Sequence, residues 1–349
     1  MIQIKISDQS CVGAARRTAT LLANQKEWSE DSLGKLAIVV TELASNIIKH
    51  AGCKGELILQ FIESESGSGI EILAIDKGPG IVNIAQALQD GYSTQGTAGT
   101  GLGAVMRLAN FLTIYPGLGQ GTVVVAQVEP EVATHKLHTP KKMAMSSICL
   151  PKPGEQACGD NFVSYQTGSR ALFLIADGLG HGPEAAKASQ LACQVFNTVT
   201  SLPVINIVSA IDEALRKTRG AAVGLAEIDF VQKTLRFAGL GNITGVMCKD
   251  ETVRHLMTRD GIAGLGASHV QEVVYPWDEN SILILHSDGL ATLRGNFIKK
   301  YPGLLARHPA VIASVFYRDF NRHYDDITVM AIRKNGNFPT ITHDITPTY

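Results

Sequence analysis

The stretch IEILAIDKGPGI, residues 70–81, decides how the first half of the chain is read. Ile70 to Ile75 is an apolar run interrupted only by Glu71, of strand length, and Asp76 stands at its end with Gly78, Pro79 and Gly80 directly behind it. A carboxylate at a strand end can accept a hydrogen bond from an exocyclic amine such as that of adenine, and glycines let the backbone approach a flat ligand closely. A plain turn uses the same residue types, so the stretch gains meaning only from what surrounds it.

Upstream, Leu36, Val40, Leu43, Ile47 and Ile48 keep helical spacing and predict one core-facing stripe of a helix over 31–50. Glu42, Asn46, Lys49 and His50 fall on a neighbouring stripe, since residues four and seven or eight apart share a face. A carboxylate and an amide one turn apart can take a proton from a nucleophile and hold a metal ion through oxygen, although a solvated helix edge also looks like this. Downstream, Gly99-Thr100-Gly101-Leu102-Gly103 precedes a helix expected around 102–110, where free N–H groups and the helix dipole favour phosphate. The alternation of Ile2, Ile4 and Ile6 predicts a strand, followed by a helix over 8–26 and strands at 55–62, 69–75, 111–115 and 122–127. Helices grouped beside strands, rather than alternating with them, indicate an α/β sandwich.

The 349 residues suggest two domains, and a hydrophobic content of 45% suffices for two cores. Thirty-one Lys and Arg against 32 Asp and Glu leave a net charge of −1 with no basic block, which disfavours binding to nucleic acid or a membrane surface through bulk charge. Cys11, Cys53, Cys149, Cys158, Cys193 and Cys248 form no CxxC pair, and are expected to be reduced, mostly buried thiols of a cytoplasmic protein. No stretch approaches the ~20 apolar residues of a membrane span.

Residues 129–142, EPEVATHKLHTPKK, are polar with two prolines and read as a linker. Beyond them short β-runs are expected at 171–176, 222–229, 233–239, 243–248, 270–274, 281–286 and 327–332. Helices are expected near 183–199, 204–219 and 309–319, a pattern of two sheets covered by helices. Asp160, Asp177, Asp288 and the pair Asp325-Asp326 fall at strand ends or in adjacent loops. Any one of them suits a turn, but carboxylates brought together repel unless hard divalent cations neutralise them. Two such cations can activate a water toward phosphorus, so the pattern points to hydrolysis of a phosphate monoester.

With these residues in hand, the first 128 resemble the GHKL-type ATPases, and among them the small serine kinases of bacterial partner-switching pathways. The resemblance rests on E-L-x-x-N at Glu42 to Asn46, D-x-G-P-G-I at Asp76 to Ile81 and the glycine box at 99–103. Gln89 to Thr94 looks like the RsbT-type switch kinases. It implies that Asn46 binds Mg²⁺, Asp76 binds adenine, Glu42 assists the incoming Ser or Thr hydroxyl, Gly101 and Gly103 contact phosphates and Thr122 lies beside the base. Lys49, Gly78, Gly80, Ile81, Thr100 and Leu102 complete the implied ATP site.

Residues 143–333 resemble the SpoIIE and RsbX branch of the protein phosphatase 2C superfamily, through Gly159-Asp160-Asn161, Asp177 to Gly182, Ser287-Asp288-Gly289 and Asp325 to Thr328. This implies two Mn²⁺ or Mg²⁺ ions, with Asp177 bridging both, the Gly178 carbonyl on one, and Asp288 and Asp325 on the other. Asp160 would hold water or a further ion, Asp326 is a substitute for Asp325, and His181 is a candidate acid toward the leaving oxygen. His181 lies three residues past Gly178, displaced from the D-G-H-G of eukaryotic members. Pro151 to Gly159 contains Lys152 as its only cation where those members place an Arg.

The implied fold is therefore α/β in two domains: a GHKL (Bergerat) α/β sandwich over 1–128 and a phosphatase 2C-like α-β-β-α sandwich over 143–333, with a tail over 334–349. The implied function is a bifunctional regulator that phosphorylates and dephosphorylates Ser or Thr of a STAS-domain antagonist or stressosome scaffold. A sigma factor or other downstream regulator, and homo-oligomers, are further partners the resemblance admits. Two alternatives stay open: a phosphatase gated by a nucleotide sensor, and a non-enzymatic anti-sigma-type binding module.

Overall fold

A computed structural model describes residues 1–64, 67–88, 101–117, 119–131, 141–266, 270–336 and 338. The chain divides into two compact units, the first of Met1–Thr139 with Ala306–Arg318 and Asn337–Tyr349, the second of Pro140–Leu305 with Asp319–Gly336.

In the first unit the order is β1 (Ile2–Ile6), α1 (Gln9–Asn24), α2 (Glu30–Ala51), β2 (Gly55–Ser64), β3 (Gly67–Asp76), α3 (Ile84–Ala87), α4 (Gly101–Leu108), β4 (Phe111–Tyr115) and β5 (Val123–Val128). The strands form one antiparallel sheet in the order β1-β2-β3-β5-β4. Helix α2 is set at both ends by local chemistry. The Ser29 hydroxyl accepts the Ser32 N–H, Glu30 and Asp31 face the positive end of the dipole, and Lys49 and His50 the negative end. Gly52 then closes it with φ 59, in the left-handed region. Leu36, Val40, Leu43 and Ile47 are buried as the periodicity predicts, and they pack on Leu57, Leu59, Ile72 and Ala74 of the sheet. Each such side chain contributes about 1.5–3 kcal/mol by leaving water, so this stripe fixes which face of α2 is left for Glu42 and Asn46.

The second unit runs β6 (Met143–Leu150), β7 (Asp160–Gln166), β8 (Arg170–Gly178), α5 (Pro183–Thr198), α6 (Val204–Leu215), β9 (Ala221–Asp229), β10 (Thr234–Leu240), β11 (Thr244–Lys249), β12 (Thr252–His255), β13 (Glu272–Pro276), β14 (Ile282–His286) and α7 (Phe297–Lys300); α8 (Pro309–Phe320) then falls mostly to the first unit, and β15 (Ile327–Lys334) returns to the second. Two five-stranded sheets result, β13-β10-β9-β8-β7 and β12-β11-β14-β15-β6. Their inner faces share a core that includes Phe173, Ile175 and Phe237 from one and Leu283, Leu285 and Met330 from the other. Helices α5 and α6 cover the outer face of the first sheet through Phe196, Ile207 and Ile211 against Leu172, Leu174 and Leu225.

Helix α6 stops at Leu215, short of the expected 219, and residues 216–219 form the turn into β9. The cysteines depart from expectation too: Cys193 and Cys248 are buried and the other four are only partly so, all as thiols. Cys149 and Cys158 bring their Sγ atoms to 3.6 Å of each other. Of the linker, 132–140 lies outside the described residues, as does the tail beyond Phe338. Among the described residues no helix is long and apolar enough to cross a membrane.

Candidate functional sites

In the first unit, α2 carries Glu42 and Asn46 one turn apart, and α4 begins beside them. A Cβ built on Gly101 would stand 3.2 Å from Glu42 Oε2 and 3.3 Å from Asn46 Oδ1, so the helix start reaches the carboxylate and the amide together. Gly101 opens the eight residues of α4, with Leu102 half-buried and Gly103 buried behind it. Asp76 ends β3, and its Oδ1 accepts the N–H groups of Gly78 at 2.7 Å and Thr122 at 3.0 Å. Both protein donors fall on Oδ1, so Oδ2 is left with no protein hydrogen bond among the described residues. Carboxylates in this state seek a donor, which a ligand can supply.

Gly78 lies against Ala51, Gly80 turns the chain with φ 83, and Ile81 packs on the core. Thr122 is nearly buried beside Asp76, and Lys49 is half-buried near the end of α2. Gly121 was not singled out from the sequence, yet its place is the tightest in the unit. Its φ is 91°, and an added Cβ would stand 2.0 Å from the Asp76 carbonyl oxygen. Only a glycine lets the chain pass so close beneath Asp76. Thr100, Gly99 and Gln89 to Thr94 lie outside the described residues.

In the second unit, β7 and β8 set Asp160 directly opposite Asp177. Asp160 is buried, and its Oδ2 accepts the Ser287 hydroxyl at 2.6 Å. Ser287 Oγ in turn accepts the Thr328 N–H at 2.9 Å, joining the loops that carry Asp288 and Asp325 to the start of β7. Asp160 Oδ1 is buried with no protein partner among the described residues. Asn242, exposed after β10, donates through Nδ2 to Asp288 Oδ2 at 2.7 Å and to Asp177 Oδ2 at 3.3 Å, which brings these two carboxylates to one point. A Cβ on Gly289 would stand 2.0 Å from the Asp326 carbonyl oxygen, so this glycine lets the Asp288 loop lie against the Asp325-Asp326 segment.

Electrostatics show how crowded the charges are. Burial, then Asp160, Asp288 and Asp325 in that order, push the Asp177 carboxyl up to about 9. Burial, reinforced by Asp326 and Asp288 and opposed by Ser287 and Thr328, takes Asp160 to about 7. The adjacent aspartates have different surroundings. Asp326 is buried with Oδ1 on the Lys152 N–H at 2.8 Å, whereas Asp325 is half-buried and accepts the Asp326 N–H at 2.9 Å. His181 sits on the exposed loop after Gly178 with Nδ1 2.9 Å from Glu155 Oε1, a partner not singled out from the sequence.

The donor set fits hard divalent cations: it is all oxygen, an orphaned buried carboxylate oxygen is included, and the carboxylates raise one another's pKa for want of a counter-charge. Among the described residues no three His, Cys, Asp or Glu side chains close around a single ion, so water would complete the shell of any cation here, as Mg²⁺ commonly requires.

These features define a kinase-like ATPase domain joined to a phosphatase 2C-type domain. Residues 7–128 match the family described as histidine kinase-like ATPase domain, and residues 167–335 match stage II sporulation protein E, SpoIIE. The serine/threonine-protein kinase RsbT of Bacillus subtilis (strain 168) is 33% identical over 129 residues, 35% of this chain and 96% of that protein. The chain belongs, through its first unit, to the histidine kinase-like ATPase family that includes this kinase. Its second unit is similar to the phosphoserine phosphatase RsbX of the same organism, 25% identical over 143 residues, 40% of this chain and 71% of that one. The solved structure of RsbX in complex with magnesium shares the fold, with a TM-score of 0.50 at 20% identity over 57% of this chain and 98% of that chain.

Proposed function

We propose that this chain is a cytoplasmic partner-switching regulator that both adds phosphate to Ser or Thr of a STAS-domain protein, using ATP, and removes it. The observation that supports the reading is that both sets of chemical groups occur on one chain: Glu42, Asn46 and Gly101 gathered along α2, whose end packs on the turn after Asp76, and Asp160, Asp177 and Asp288 gathered at the sheet ends.

In the first unit Asp76 Oδ2 accepts the exocyclic amine of adenine, with Thr122 beside the base and Gly78, Gly80 and Ile81 shaping the floor. Asn46 holds Mg²⁺ through its amide oxygen, while Gly101, Leu102 and Gly103 present N–H groups to phosphate, with Lys49 nearby. Glu42 takes the proton of the incoming hydroxyl as it attacks the γ-phosphorus. In the second unit Asp177, the Gly178 carbonyl, Asp288 and Asp325 would hold two Mn²⁺ or Mg²⁺, which would supply an activated water and neutralise phosphoryl charge. Asp160 and Asp326 support that set from the buried side. His181, its Nδ1 engaged by Glu155, keeps Nε2 to protonate the leaving Ser or Thr oxygen.

The partner in this reading is a STAS-domain antagonist or stressosome scaffold, a reading supported by likeness to a serine/threonine-protein kinase and a phosphoserine phosphatase. Four variants test the reading, with phosphate on the partner followed on a phosphate-affinity gel. Glu42→Ala and Asn46→Ala are expected to lose phosphate addition and keep removal; Asp177→Asn and Asp288→Asn are expected to do the reverse. Retention of both activities in all four would overturn the assignment.

A further inference from the structure

A phosphate monoester brings two negative charges to a site already lined with carboxylates, so its recognition calls for a fixed cation in addition to divalent ions. Lys152, the only cation in the segment before Asp160, is engaged there by its main chain: its N–H donates to Asp326 Oδ1 at 2.8 Å. The structure brings a different cation to the loop that follows Asp177. Residues 216–219 form the turn between α6 and β9, and two hydrogen bonds fasten it. The Gly220 N–H meets Thr218 Oγ1 at 3.0 Å, and the Leu179 N–H meets the Gly220 carbonyl at 3.0 Å. The second of these ties the turn to the Asp177–Gly182 loop, next to the Gly178–Ala221 pairing of β8 and β9.

Arg219 projects from that turn. Its Nη1 lies 3.2 Å from the point where a Cβ on Gly180 would stand, over the loop that carries Asp177 and Gly178. The residue is exposed, and no carboxylate or other hydrogen-bond partner engages it among the described residues. An exposed arginine on a fastened turn over the loop that follows Asp177, with its planar fork unspent, is the kind of group that makes bidentate contact with phosphate oxygens. Gly180 takes φ 90, and a Cβ there would press on Nη1, a tight contact that a small shift of the exposed guanidinium would relieve.

We propose that Arg219 is the residue that recognises the phosphoryl group of the phosphoserine or phosphothreonine substrate. The inference rests on the phosphatase reading of the second unit. It gives Arg219 a binding role: the guanidinium holds phosphate oxygens and takes no part in proton transfer.

The test uses the full chain with Mn²⁺ and p-nitrophenyl phosphate, a probe that offers the phosphoryl group and no protein segment. Arg219→Ala is expected to raise KM by about tenfold or more with kcat changed far less, as loss of a charge-assisted contact to bound phosphate requires. Competitive inhibition by inorganic phosphate is expected to weaken by a similar factor, and Arg219→Lys to recover part of both. Melting temperatures with and without Mn²⁺ are expected to match those of the wild type, which separates a binding role from a structural one. An active Arg219→Ala variant with unchanged KM and unchanged phosphate inhibition would overturn this inference alone. A wild-type protein with no Mn²⁺-dependent hydrolysis would overturn the phosphatase reading, and the inference with it.

Discussion

Asp160 and Asp177 face each other across neighbouring strands β7 and β8, two carboxylates directly opposite on one ladder, where β8 is otherwise apolar from Ala171 to Ala176. Like charges directly opposite destabilise a sheet, and burial removes the water that would screen them. The fold tolerates the pair because Ser287 satisfies one oxygen of Asp160 and Asn242 donates to Asp177. What remains is a site whose stability depends on a counter-charge. Asp177→Asn is therefore expected to raise the melting temperature measured in EDTA, by a few degrees if about 1 kcal/mol of repulsion is relieved. The same variant should lose most of the upward shift that Mn²⁺ gives the wild type. Differential scanning fluorimetry with and without Mn²⁺ reads both effects, and a fall in EDTA together with a full Mn²⁺ shift would contradict the account.

Gly121 governs the approach of the chain to Asp76. An alanine there meets the Asp76 carbonyl oxygen at 2.0 Å and needs a backbone at φ 91 that side chains resist. Overpacking and strain together should cost about 3 kcal/mol. Gly121→Ala is expected to lose binding of a fluorescent ATP analogue, whereas Gly119→Ala, with open space at its Cβ but a similar positive φ of 70, should keep most of it. Equal affinity in the Gly121 variant and the wild type would show that the Asp76 turn does not shape the nucleotide site.

His181 and Glu155 form a pair at 2.9 Å on the rim of the acidic centre. A proton donor matters most for a leaving group of high pKa. His181→Ala should therefore slow kcat on a phosphoserine peptide by about 10²-fold and leave p-nitrophenyl phosphate, whose phenolate departs unaided, within a few-fold. Glu155→Gln is expected to shift the pH profile on the peptide in the same assay. Equal loss on both substrates would assign His181 to binding rather than to proton donation.

Much of this was legible in the sequence where the signal is local. The periodicity of Leu36, Val40, Leu43 and Ile47 fixed α2, and the run ending at Asp76 fixed β3, because burial on one stripe or one strand dictates residue type position by position. Asp177, Asp288 and the pair Asp325-Asp326 stood out because each follows or precedes an expected β-run, whereas Asp160 was noticed only between a glycine and an asparagine. Strand β7, DNFVSYQ, gave no comparable signal: it is an edge strand, half-exposed along most of its length, and pairing with β8 rather than apolar patterning makes it a strand. Strand β6 hides for another reason, since it buries Ser146 and Ser147 among its apolar residues. Asn242, Glu155 and Arg219 come from loops far apart in sequence and acquire meaning only when the fold brings them to Asp177 and Asp288, to His181 and to Gly180 in turn. The hydroxyl of Ser287, 127 residues from Asp160, belongs to the same class.

The central claim is that one chain writes and erases the same phosphate, and the intact mass of a STAS-domain partner tests it most directly. The Asp288→Asn variant, with Mg-ATP and the partner, keeps any added phosphate in place. The account expects a gain of one phosphoryl group, erased when wild-type protein and Mn²⁺ are then supplied after ATP is removed. A partner whose mass never changes, although the variant binds ATP, would contradict it.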